Sequence, residues 1–95
     1  MRIRVPISNR EAASYIKLRR LGYSISIIAK FFGRSTSAIY RRIRKAVEYG
    51  ILDRRDLRKI PNRTRKIARA RMERTMLQMI EKWNSWILGE GEEPP

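Results

Sequence analysis

If residues 36–49 form a helix, Ser37, Arg41, Arg44 and Lys45 share one side of it and Ile39, Ile43 and Val47 lie opposite, with Thr36 in its first turn beside Ser37 as a further candidate for base edges. Small hydroxyls come first on that side and long cations follow. Such a face suits close approach to a nucleic-acid groove, with hydroxyls and arginine forks meeting base edges. Arg34, Ser35, Arg42 and Lys45 flank the set and are the expected phosphate contacts. Bond-breaking chemistry has much less to draw on. The chain has no histidine and no cysteine, so thiolate nucleophiles, imidazole bases and ordinary zinc sites are excluded. Its only aspartates, Asp53 and Asp56, sit among arginines, where a helix cap and a local ion pair explain them better than a metal does. No catalytic residue, cofactor or metal is therefore expected, and the chain reads as a binding protein and not as an enzyme.

The elements that must position this face are written in the punctuation. Ser8-Asn-Arg-Glu11 has the form of a capping box and predicts a first helix from Ser8 to Gly22, with Ala12, Tyr15 or Ile16, and Leu18 to Leu21 as its core side. Ser24 predicts the N-cap of a second helix, about 25–32, whose apolar face holds Ile27, Ile28, Ala29 and Phe32. Gly33 permits a tight turn, Ser35 caps again, and the third helix runs about 36–49 to Gly50. A short helix, a tight turn and a second helix with a polar outer face make a helix-turn-helix, which presents that second helix to the major groove. Ile16, Leu21, Ile28, Phe32, Ile39 and Ile43 are the expected core.

Gly-Arg-Ser-Thr-Ser-Ala-Ile-Tyr-Arg at 33–41 resembles the Gly-Val-Ser-Arg-Ser-Thr-Val-Tyr-Arg signature of the DNA invertase and resolvase helix-turn-helix. Gly33, Ser35, Ser37, Ile39, Tyr40 and Arg41 match in register, and Gly22, Ser24, Ile28 and Ala29 fit that family's upstream Gly-x-Ser-x-x-x-Ile-Ala pattern. The resemblance covers residues 10 to about 45 and does not extend to a recombinase catalytic domain. It departs at Arg34, which replaces an apolar turn residue, and at Ala38, which replaces the usual threonine. The resemblance implies DNA binding without strand exchange, with Ser37 and Arg41 at base edges and Tyr40 at a phosphate. The competing reading is a trihelical module that binds protein.

Charge supports DNA independently of the motif. Lysine and arginine number 23 against 9 acidic residues, a net charge of +14, and arginine provides 17 of the cations. Arginine's planar fork suits phosphate and guanine geometry. The charge is graded: 12 bases and 2 acids lie in residues 1–52, 10 and 3 in 53–74, and 1 and 4 in 75–95. A basic body with an acidic end is the electrostatic footprint of a polyanion partner. Two phenylalanines and four tyrosines, with no paired-aromatic strand motif, make single-stranded RNA the weaker reading. Scarce Asn and Gln beside abundant arginine lean toward a thermophilic source.

Four segments follow: a helix-turn-helix domain over 1–52, a basic connector over 53–62, a long helix over 63–88 and an acidic tail over 89–95, expected to be disordered. Arg2 and Arg4 alternate with Ile3 and Val5, which favours a short strand over an arm in the minor groove. After Gly50, one helical turn capped by Asp53 is favoured over a degenerate wing carrying Arg54 and Arg55 at its tip. The long helix has a basic first half, in which Arg63, Arg65 and Arg69 join Arg54 and Arg55 as expected phosphate contacts. Its second half carries Met72, Met76, Met79, Trp83 and Trp86 at steps of four, three, four and three, a coiled-coil-like seam that Leu77, Ile80 and Leu88 widen into a broad apolar face, with Ile87 also expected at the dimer contact. Such a face must be covered, and dimerisation through it is preferred to folding back on the helix-turn-helix.

The fold class expected is all-α: a trihelical helix-turn-helix followed by a long helix. The expected partners are double-stranded DNA and a second copy of the chain, with no membrane and no small-molecule substrate. The N-terminus lacks the apolar run of a signal peptide and no stretch is apolar enough to span a bilayer, so a cytoplasmic location is expected. A dimeric, sequence-specific transcriptional regulator of viral or plasmid type is the favoured function. The alternative is a nucleoprotein or DNA-packaging factor, similar in layout to small terminase subunits and assembled as a higher oligomer.

Overall fold

Ser8 starts the first helix: its hydroxyl accepts the Glu11 N–H at 3.1 Å, and α1 runs Asn9–Arg20. Helix α2 spans Ile25–Phe32, α3 spans Thr36–Glu48 and α4 spans Asn62–Ile87. The computed structural model describes residues 6–57 and 62–95, with the side chains of α4 described from 68 onward. The chain is all-α, and no strand occurs among the described residues. Among them, too, no helix is long and apolar enough to cross a membrane. The strand expected at residues 2–5 lies outside the described residues.

Each helix contributes apolar positions to one core. Tyr15 and Leu18 come from α1, Ile27, Ile28 and Ala29 from α2, Ile39, Ile43 and Ala46 from α3, and Met76, Trp83 and Trp86 from α4. Fully burying one such aliphatic side chain stabilises by roughly 1.5–3 kcal/mol, so these positions dominate the small domain's stability. One expected core position, Leu21, changes, while Ile16 packs partly buried against the core. Leu21 is 63% exposed, because it is the C-cap of α1 and the chain turns away there; Leu18, one turn earlier, fills the core at 0%. Tyr15 rather than Ile16 is fully buried, its ring edge-on to Phe32 at 5.4 Å.

The segment after α3 forms a 3-10 turn, Arg54–Leu57, and not a wing. Its cap is the reverse of the one expected. Asp56 Oδ2 accepts the Asp53 N–H at 3.0 Å, while the Asp53 carboxylate pairs with Arg55 at 3.3 Å.

Helix α4 returns antiparallel to α1. Arg10 near the start of α1 donates to the Trp86 carbonyl at 2.8 Å, Lys17 sits 5.7 Å from the Trp83 ring centroid, and Leu21 beyond its end shares a groove with Ala68 and Met72. Among the described residues α4 packs on α1 and α2, whereas α3 packs on α1, α2 and the 3-10 turn. This arrangement places residues expected at a dimer seam in the chain's own core. Met76, Trp83 and Trp86 are buried within their own chain, and Met72, Met79, Ile80 and Ile87 pack partly buried against the same core. Helices α1 and α2 cover most of this apolar face, whereas Leu77 and Leu88, expected to widen it, stay exposed. Packing within one chain also avoids the loss of translational freedom that a second chain would suffer.

The tail, expected to be disordered, follows α1. The Glu90 N–H donates to the Ser85 carbonyl at 3.0 Å, Arg10 reaches the Gly91 carbonyl at 2.8 Å, and Lys17 reaches the Pro95 oxygen at 2.5 Å.

Candidate nucleic-acid interface

The turn that launches α3 is built from three short-range devices. Ser24 Oγ accepts the Ile27 N–H at 3.2 Å and fixes the start of α2. Gly33 ends α2 with φ 64°, a left-handed conformation that a side chain would strain, and the Arg34 N–H closes back onto the Ala29 carbonyl at 3.0 Å. Ser35 Oγ then accepts the Ala38 N–H at 3.2 Å and starts α3. Two residues, Arg34 and Ser35, thus separate the end of one cap from the start of the next helix. Ser35, an expected phosphate contact, has its hydroxyl committed to this cap.

A longer-range contact holds the same turn. Arg34 Nε and Nη2 donate to the two carboxylate oxygens of Glu11 at 2.7 and 3.0 Å, and both side chains are 12% exposed. The Tyr15 hydroxyl, fully buried, donates to Glu11 as well. Burial, followed by the hydrogen bond to the Glu11 carboxylate, pushes the Tyr15 phenol well above its ordinary range. The hydrogen bond to Glu11 likewise raises the already basic Arg34 guanidinium. Arg34 therefore faces inward and ties the turn between α2 and α3 to the first turn of α1, in place of the phosphate contact expected of it. Glu11 is the residue whose role the sequence pattern missed. Read locally it is half of a capping box, but its partner lies 23 positions away.

Helix α3 is two-faced. Ile39 and Ile43 are fully buried and Ala46 nearly so, which pins the helix to α1 and α2. Ser37, Arg41, Arg44 and Lys45 are exposed on the other side, Thr36 in the first turn and Tyr40 at the flank are exposed too, and Arg42 is half-buried. Arg44 meets Glu48 at 3.4 Å, with both side chains more than 60% exposed. Exposed pairs of this kind are worth about 0–1 kcal/mol, so Arg44 can exchange its carboxylate for another anion at little cost. Arg54 and Arg55 are exposed on the turn that packs against α3. Ser37, Arg41, Arg44 and Lys45 are thus brought together on the outward side of α3, with Arg54 and Arg55 exposed on the adjoining turn. Arg69 is not part of it, since it lies on α4 and pairs with Glu73 at 3.3 Å. Arg63 and Arg65 lie outside the described side chains.

Not every cation faces outward. Arg19 donates to the carbonyls of Asp56 at 2.5 Å and Tyr23 at 2.7 Å, and Arg20 donates to that of Ile51 at 2.9 Å. Burial lowers the Arg19 pKa, and the nearby Asp56 opposes that shift. With Arg10 and Lys17, these side chains satisfy backbone carbonyls elsewhere in the fold. Part of the positive charge is therefore structural.

Among the described residues no group of three acidic side chains is placed to hold a metal ion. Compared with protein-family models, curated proteins and solved structures, the chain matches none.

Proposed function

We propose that this chain is a sequence-specific double-stranded DNA-binding protein, and not an enzyme, that places α3 in the major groove. The observation that carries the reading is the division of α3: Ile39 and Ile43 lock one face into the core while Ser37, Arg41 and Arg44 remain exposed on the other. A helix held rigidly on one side, with short polar groups followed by arginines on the other, has the form that direct readout requires. Ser37 and Arg41 read base edges, with Thr36 and Arg44 beside them. Tyr40, Arg42, Lys45, Arg54 and Arg55 contact phosphates. With the seam of α4 covered by its own chain, each chain engages its site as one unit, and transcriptional regulation is the role that fits such a reader.

Arg41→Ala should weaken binding to the preferred site by roughly 1–3 kcal/mol and binding to random duplex by much less. Titration of the variant against both duplexes measures this. Equal losses on the two would reduce Arg41 to a phosphate contact and move base reading elsewhere.

A further inference from the structure

The recognition surface leaves a second set of cations unused. Arg69, Arg71 and Arg74 are exposed on the first half of α4, and Lys30 on α2 stands beside them, bonded to Glu73 at 3.0 Å. Glu73 is held between Lys30 and Arg69, whose hydrogen bonds lower its carboxyl pKa. The one acidic group of this patch is thereby neutralised, and Arg71 and Arg74 stay exposed outside that triad. In helical register Arg74 lies opposite the buried Met76 and Trp83 and the partly buried Met72, so it points away from the body of the protein. The same stretch of sequence is the most basic per residue in the chain, with 10 bases and 3 acids in residues 53–74.

Position decides what this patch can do. Helices α3 and α4 each pack on the α1–α2 pair, and among the described residues neither packs substantially on the other, so the two basic surfaces belong to different helices of the body. A helix with its side chains is about 10 Å thick, longer than the screening length of about 8 Å at physiological salt. Each surface therefore attracts polyanion on its own. A duplex seated on α3 does not neutralise the arginines of α4.

We propose that the Arg71–Arg74 surface of α4 is a second, sequence-independent duplex-binding site, which lets one chain bridge two DNA segments. This rests on the reading of α3 as the specific site and adds to it a role in bringing distant DNA together. The second surface has no short hydroxyls ahead of its arginines, so it contacts backbone and not base edges.

The test uses the full chain, one fluorescent duplex carrying the preferred site and a second, biotinylated duplex of unrelated sequence. Capture of the fluorescent duplex on streptavidin reports bridging, and titration of the fluorescent duplex alone reports the α3 site. Arg71→Glu/Arg74→Glu should reduce capture by about tenfold while single-duplex affinity and its salt slope stay unchanged. The neutral pair Arg71→Gln/Arg74→Gln should reduce capture less, with the same helical circular dichroism as the wild type. Three outcomes overturn the proposal: no capture by the wild type, undiminished capture by the Glu variant, or a single-duplex salt slope flattened by about two units, which would put both arginines on the α3-bound duplex. If the wild type binds no duplex at all, the reading of α3 fails, a result distinct from these.

Discussion

Trp83→Ala should destabilise the chain by roughly 3–5 kcal/mol, the range for removing a large aromatic side chain from a packed core. Trp83 is 1% exposed, meets Trp86 edge-on at 6.0 Å and shares the core with the fully buried Met76. It is the largest fully buried side chain of α4 and its ring meets Lys17 of α1, so its loss both opens a cavity and loosens the helix. For a domain whose total stability is on the order of 5–15 kcal/mol, that loss approaches unfolding at growth temperature. Trp83→Phe should cost much less. Among the described residues the Trp83 indole N–H has no acceptor, and removing an unsatisfied buried donor offsets part of the lost volume. Urea denaturation of the two variants measures the contrast. A change below about 1 kcal/mol for Trp83→Ala would mean that α4 is not docked on its own chain. The wild-type midpoint should also be independent of protein concentration, as intramolecular packing requires.

Glu11→Ala is the second large effect expected, at about 2–3 kcal/mol, somewhat below the range for breaking a fully buried pair on one side. The substitution leaves the Arg34 guanidinium and the buried Tyr15 hydroxyl without their common acceptor. Replacing both charged partners, as in Glu11→Leu/Arg34→Met, should recover much of the loss, because an apolar pair of similar volume leaves no charge stranded. A double-mutant cycle in the same denaturation assay isolates the coupling, and strictly additive losses would show that the two residues act separately. The pair also bears on DNA. Because Arg34 is turned inward, Arg34→Met should leave the salt slope of binding unchanged, whereas a flattening of about one unit would return it to a phosphate.

Local chemistry was legible because its causes lie within a few residues. Ser8, Ser24 and Ser35 each cap the helix that follows, and Gly33 takes the left-handed turn. The long helix starts and ends within a residue of its expected bounds. Leu21 was misplaced because helical spacing continues through it while the chain itself turns away. The Arg34–Glu11 pair was hidden because it depends on how α1 crosses the turn, and no spacing rule encodes that. The seam of α4 is the most instructive case. The steps from Met72 to Trp86 require burial but carry no label for the surface that supplies it. The return of the chain beside α1 decided the matter, through Arg10 and Lys17, which sequence alone assigned to no role.

The most direct test of α3 as a DNA reader is selection of bound fragments from a random duplex pool at about 150 mM salt, where purely electrostatic binding is suppressed. The wild-type chain should enrich one short motif, and Arg41→Ala should lose enrichment at one position within it while keeping the rest. Recovery of sequences indistinguishable from the input pool would contradict base reading by α3 and leave its outer face a nonspecific cationic surface.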